Sequence, residues 1–321
     1  MSHDLVGLGE VMVRLAARPP ERIELASALD VQIGGSEANV AAACARLGFR
    51  TAVLSAVPAE HVWGDRIVRD LSAHGVDCAG VVRRPGTRVG VYFLEYGVAP
   101  RPTRVLYDRG DSAFGRLRAD DLDWSLIGGA RLVHLSGITP ALGENLREVI
   151  RRALREAAAA GVPVSFDVNY RSRLWTPKHA RDFLGEVLPG VRYLFVGADD
   201  AETVFELTGP PEDVLAGLQR LAPRATIALT LGEAGSVVLD DGATWRPSRR
   251  YTVSVVDRVG AGDAFAAGFL WAMLRGRPPQ ERVDAATALA ALKCSIWGDV
   301  AVVSQAEVEE LLASDSTEIR R

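Results

Sequence analysis

The sequence predicts an α/β fold, a mostly parallel sheet covered by helices on both faces, with a small β appendage inserted into it. Three observations carry this. Apolar strand-like runs alternate with helix-like patterns along most of the 321 residues. Those runs are continuously apolar, as in strands buried on both faces. Two segments, about 12–34 and about 80–110, break the rhythm with short alternating runs, Pro and Gly, and no helix between them.

Taken in order, DLVGLGEVMVRL (4–15) reads as the opening strand. SEANVAAACARLG (36–48) reads as a helix, with Val40, Cys44 and Leu47 at i, i+4, i+7 and Gly48 as its stop. TAVLSAVP (51–58) is a buried strand, and WGDRIVRDLSAHG (63–75) a helix ending at Gly75. TRVGVYFLEY (87–96) and TRVLYDR (103–109) are the short strands of the appendage. RLVHLSG, the helix ENLREVIRRALREAAAAG, VPVSFDVN and RYLFVGA then resume the alternation. TIALTLG and YTVSVVD add strands, helices fill most of 262–313, and the polar tail SDSTEIRR is expected to fray. Sites of open parallel sheets lie beyond the strand C-termini, where an appendage is placed to close over a substrate.

Composition excludes several classes. The chain is 48% hydrophobic and 24% charged, with a net charge of −4, which marks neither a nucleic-acid nor a membrane surface. Three cysteines without C-x-x-C spacing and five scattered histidines argue against a zinc site or disulfide framework. The start MSHDLVGLGEV lacks the pattern of a signal peptide, and no apolar run nears the roughly 20 residues that span a bilayer. A cytoplasmic protein is expected. Of 37 Lys and Arg, only Lys178 and Lys293 are lysine.

VVDRVGAGDAFAAGFLWAML (255–274) places Gly260, Ala261, Gly262 and Asp263 between a β-like run and an apolar helix. One reading is a plain helix start, with Asp263 capping free N–H groups. A lysine-bearing phosphate loop does not fit, since no lysine is near, and the dinucleotide fingerprint fails because Phe265 stands where a third Gly or Ala belongs. The remaining reading is an anion hole with a built-in base. Small residues leave several N–H groups convergent at a helix start, and an Asp at the edge accepts a hydroxyl proton. Phe265, Phe269 and Met273 would mount that helix in the core.

At these residues the chain resembles the ribokinase-like (PfkB) sugar kinases, and most of all their 2-keto-3-deoxygluconate kinases. The signatures are GGSEANVAAACARLG (34–48) and DRVGAGDAFAAGF (257–269), with HLSGITPAL, SFDVNYRSRLW, LTLGEAGSVV and LKCSIWGD between and after them. The resemblance covers nearly the whole chain. It implies a ribokinase-like three-layer α/β/α core in one kinase domain (1–321), with the appendage as a lid. It implies Asp263 as catalytic base and Gly260, Ala261 and Gly262 as the anion hole. Gly34, Gly35 and Asn39 become candidates for sugar hydroxyls, although Ser36 and Asn39 also read as a loose helix cap. Tyr92, Tyr107, Arg109 and Arg171 match the tyrosines and arginines that hold a sugar acid; a carboxylate suits planar, bidentate Arg. For each arginine the alternative is an ordinary surface residue.

For the nucleotide, the resemblance implies Thr230, Gly232 and Gly235 beside ATP, Asn169 near the phosphates, and residues around 291–295 flanking the adenine. A simple hairpin turn is the alternative for the TLGEAG stretch (230–235). Mg²⁺ is implied, with Asp200 a weak ligand acting through water, because the family's Asn-x-x-Glu motif reads here as Gly197 and Asp200. Arg258 also departs from the family pattern, which puts any monovalent-cation site near it in doubt. The expectation is an ATP-dependent kinase for a small sugar acid, with a homodimer through the lid. Its rivals are a neutral-sugar kinase of fructokinase or ribokinase type and a catalytically idle sugar-acid sensor.

Overall fold

The computed structural model describes residues 2–313; the SDSTEIRR tail lies outside them. Its strands are β1 (Leu5–Leu8), β2 (Met12–Ala17), β3 (Asp30–Gly34), β4 (Thr51–Pro58), β5 (Val76–Asp77), β6 (Val81–Arg84) and β7 (Val91–Glu95). They continue as β8 (Arg104–Asp108), β9 (Val133–Ser136), β10 (Val164–Asp167), β11 (Tyr193–Gly197), β12 (Thr226–Thr230), β13 (Ser236–Asp240) and β14 (Ala243–Trp245). The large sheet runs β14-β13-β12-β11-β10-β9-β1-β4, with β5 and β6 both paired to β4. It is parallel from β12 to β6, and β13 and β14 close one edge antiparallel.

The three layers follow from side-chain alternation. Leu194 and Val196 join one core while Phe195 between them joins the other. Ile227 and Leu229 against Ala228, and Leu54 against Val53, divide in the same way. Both sets are apolar, so both faces need helices. Helices Glu144–Ala160, Pro177–Val187 and Pro211–Leu221 cover one face. Helices Ser36–Arg46, Ala261–Leu274 and Pro279–Cys294 cover the other.

Ala261–Leu274 is apolar all round and correspondingly buried. Phe265 and Phe269 meet Phe195 edge-on, with centroids 6.3 and 5.7 Å apart. Gly268 lets the helix Pro279–Cys294 approach, since a Cβ there would lie 2.7 Å from Ala285 O. Met273, the third residue of the expected stripe, is only partly buried.

β3-β2-β7-β8 form a separate four-stranded sheet, the expected appendage with narrower bounds. Residues 81–84 belong to the large sheet as β6, so its second segment begins at Val91. DLVGLGEVMVRL is two strands, not one. The chain breaks at residues 9–11, and β1 and β2 enter different sheets. Gly9 permits the break, because a Cβ there would collide with the Glu37 carboxylate. The expected strand YTVSVVD is a loop. Val256 and Asp257 donate to Cys294 O (2.8 and 3.2 Å), the end of a helix, so β-branched residues lack a sheet edge to join.

Candidate active site

β1 pairs with β4 on one side and β9 on the other, so successive crossovers leave in opposite directions between β1 and β9. Such a switch point opens a crevice at the strand C-termini. Glu10 follows β1, Ile138 follows β9, and Asp167 ends β10, and all three line one cavity there. The lid strands roof it. Of the residues singled out in the sequence, Gly34, Gly35, Asn39, Tyr92, Tyr107, Arg109, Asn169, Arg171, Gly260, Gly262 and Asp263 line this cavity. Ala261 lies between two of them; Thr230, Gly232, Gly235 and Asp200 lie outside it.

Asp263 is held by the neighbouring helix. Ser36 Oγ donates to its Oδ1 and Asn39 Nδ2 to its Oδ2, both at 2.7 Å. Asn169, at φ 40°, donates to Ser36 Oγ at 2.9 Å and completes the chain. Burial pushes the Asp263 carboxyl above its ordinary range, opposed by these hydrogen bonds and by Arg171. A carboxylate has about four acceptor sites, so two donors leave it room for a substrate hydroxyl. Asp263 is not a helix cap: Gly260 is the N-cap, and the Asp263 side chain turns to the other helix.

Gly260 sits at φ 85°, and a Cβ there would collide with Asp299 O. At Gly262 a Cβ meets nothing within 4 Å, so that backbone faces open cavity. Ala261 N already donates to Arg258 O at 3.2 Å, so the helix start presents the Gly262 and Asp263 N–H groups, and not the expected Ala261 one, to the space beside the carboxylate.

Several expected contacts are already taken. Asn39 is committed on both amide atoms, to Asp263 and, at 3.3 Å, to Gly35 N. It holds Asp263, and one amide N–H and one Oδ1 lone pair remain for a further partner. Ser36 is the first helical residue and makes no cap. Gly34 and Gly35 are small because a Cβ would strike Tyr92 Oη and Asp299 at one, and Glu10 O at the other. The Tyr92 hydroxyl donates to Asp299. Arg109 is not a free cation: its Nε donates to Glu10 Oε2 at 2.8 Å and its Nη2 bonds the same oxygen. Ser112 Oγ donates to the other Glu10 oxygen at 2.5 Å. Arg171 differs. It touches Tyr170 O at 3.2 Å, and among the described residues it has no carboxylate in ion-pair contact.

Sequence reasoning missed two acids. Glu37, accepting from Ser136 Oγ at 2.7 Å, is pushed up to about 7, chiefly by burial. Asp167 is pushed up to about 8 by burial, then by the charges of Asp263 and Asp200, with Arg171 opposing. Both were visible as an acid inside an apolar run, SEANVAAA and VSFDVN. Asp200 accepts from Tyr170 N at 3.0 Å, and burial raises it as well. Among the described residues these acids form no cluster of three or more His, Cys, Asp or Glu side chains placed to hold a metal ion.

Thr230–Gly235 is a hairpin turn between β12 and β13, closed by Leu231 N to Gly235 O at 2.8 Å. Gly232 (φ 59°) and Gly235 (φ 98°) supply its left-handed positions. Arg258 reaches across to Glu233 in an exposed ion pair, linking this turn to the Gly260 turn.

A half-buried carboxylate beside a glycine-rich helix start, in the crevice of a roofed α/β sheet, marks the fold as ribokinase-like. The chain belongs to the pfkB family of carbohydrate kinases, whose model matches residues 2–304. It is 38% identical to the 2-dehydro-3-deoxygalactonokinase of Haloferax volcanii, over all of both chains. It is 34% identical to the 2-dehydro-3-deoxygluconokinase of Thermoproteus tenax, over 96% of this chain and 94% of that one. Among solved structures, the 2-dehydro-3-deoxygluconokinase of Thermotoga maritima superposes with a TM-score of 0.93 at 35% identity, covering 98% of this chain and 99% of that one.

Proposed function

We propose that this kinase transfers the γ-phosphoryl group of ATP to a primary hydroxyl of a 2-keto-3-deoxy sugar acid, 2-keto-3-deoxygluconate first and its galactonate epimer second. The observation that carries the acid is Arg171, a guanidinium without a carboxylate partner among the described residues, lining the same cavity as Asp263. Arg171 is half-buried and lines the cavity with Asp263, so its guanidinium donors are open to a substrate carboxylate. Arg109, neutralised by Glu10, offers hydrogen bonds from the lid side, with Tyr107 beside it at 5.6 Å from the ring centroid. The names of the relatives support the same acid class.

Asp263 takes the hydroxyl proton as the oxygen attacks, while Ser36 and Asn39 hold its carboxylate in line. The Gly262 and Asp263 amides donate to charge growing on the transferred group. Mg²⁺ carried with ATP would supply further charge neutralisation, and Asp167 and Asp200 are the residues that would hold it, through water. Thr230, Gly232 and Gly235 flank the nucleotide. The lid excludes water from the phosphoryl group, and its open strand edges make it the face of a homodimer. One kinase domain with its lid accounts for residues 1–321, and a cytoplasmic setting fits the free cysteines.

The test is steady-state kinetics of Arg171→Ala with 2-keto-3-deoxygluconate and with fructose. Loss of a charge-assisted hydrogen bond predicts a KM for the acid raised roughly tenfold to a hundredfold. An unchanged KM for the acid would remove Arg171 from the substrate site.

A further inference from the structure

We propose that the Lys293 ammonium is a built-in cation that locks the anion-hole turn, filling the place of a monovalent cation, and is a positioning residue for phosphoryl transfer. This rests on the reading of Gly260–Asp263 as the phosphoryl cradle. Lys293 is fully buried at the end of helix Pro279–Cys294. Its Nζ donates to Asp257 O at 3.0 Å and to Ile296 O at 3.3 Å. One carbonyl belongs to the turn that leads into Gly260, the other to the turn that leads into Asp299.

Those two turns are packed without slack. The Asp257 carboxylate accepts from Val259 N (2.9 Å), Gly298 N (3.1 Å), Arg14 Nη2 (2.7 Å) and the Tyr96 hydroxyl (2.6 Å). Gly260 lies against Asp299 O so closely that a Cβ would not fit. Arg14, sent in from lid strand β2, also bonds Asp299. The ammonium is thus the cation between backbone carbonyls that fixes where the anion-hole amides point.

The chemistry selects lysine. A compact ammonium directs its donors to carbonyls around it, whereas a guanidinium is a planar fork that needs coplanar acceptors. The chain uses arginine for nearly every other cation, and its second lysine, Lys178, is exposed and paired with Asp182. Burial pushes the Lys293 ammonium below its ordinary range, and the nearby Asp257 and Asp299 carboxylates oppose that shift. The ammonium itself occupies the place between the Asp257 and Ile296 carbonyls, so the residues beside Arg258 do not fit a separate monovalent-cation site there.

The test compares full-length wild type, Lys293→Met and Lys293→Ala with tetramethylammonium, sodium or potassium as the only added monovalent cation. Wild-type kcat is expected to be the same in all three. Lys293→Met should lose at least about tenfold in kcat, as when a preorganised charge-stabilising site is disturbed, with the acceptor KM little changed. Lys293→Ala should recover several-fold with potassium and not with tetramethylammonium. Three results overturn the proposal: a wild type that needs potassium, a Lys293→Met at full kcat, or a folded Lys293→Ala that no small cation restores. The wild-type arm decides even where both variants fail to fold. If no acceptor is turned over, calorimetric affinity for Mg²⁺ and the non-hydrolysable analogue AMP-PNP replaces kcat throughout, so failure of the substrate reading stays separate from failure of this one.

Discussion

At the scale of single residues, the two cavity arginines look alike in the sequence and differ in the structure. Arg109 and Glu10 are a buried pair, with side chains 8% and 3% exposed. Removing one partner of such a pair costs about 3–5 kcal/mol, because the other charge is left alone. Arg109→Ala should therefore lower the thermal midpoint strongly, whereas Arg171→Ala should leave it near wild type and act on substrate KM. Differential scanning calorimetry of both variants checks this, and equal midpoints would contradict the Glu10 pairing. Asp263 was legible because its motif is local: the residues of one turn carry the signature. That Asn39 holds Asp263 was not legible. It depends on two helix starts, 224 residues apart in sequence, facing each other across 2.7 Å.

At the scale of elements, the turn into helix Ala261–Leu274 separates two uses of glycine. Gly260 has a left-handed φ and no room for a Cβ, so Gly260→Ala should cost at least about 1–3 kcal/mol of stability. Gly262 has room, and its Cβ would project into the cavity. Gly262→Ala should hold or slightly raise the thermal midpoint, since Ala is the better helix former by up to about 1 kcal/mol, while lowering kcat. Thermal melts and kinetics on the pair check this; a Gly262→Ala enzyme at full kcat would mean that phosphate does not approach that backbone. The parallel strands were legible because continuous apolar runs leave few alternatives. The YTVSVVD loop and the break at residues 9–11 were not, because strand propensity does not say whether a partner edge is available.

At the scale of the whole molecule, the buried acids make stability depend on pH. Glu37 is held up to about 7 in the folded chain from an unfolded value of 4.5. Between those values the folded state keeps a proton that the unfolded state has released, so this group's contribution is full below 4.5 and falls as pH rises through about 7. Glu37→Gln removes that loss. Its thermal midpoint, relative to wild type, should climb between pH 5 and pH 8, and a flat difference would contradict the burial of a titrating carboxyl. The layered fold and lid were legible from the order of runs and breaks along the chain. The acid cluster was not, because Glu37, Asp167, Asp200 and Asp263 come from four separate elements that only the closed sheet brings together.

The most direct test of the central claim is ATP turnover by wild type and Asp263→Asn against 2-keto-3-deoxygluconate, its galactonate epimer, gluconate, fructose and ribose. Turnover confined to the keto-deoxy acids, with kcat lowered about a hundredfold to ten-thousandfold in Asp263→Asn as loss of a general base predicts, is the expected result. Preferential turnover of fructose or ribose, or an Asp263→Asn enzyme at wild-type rate, would contradict it.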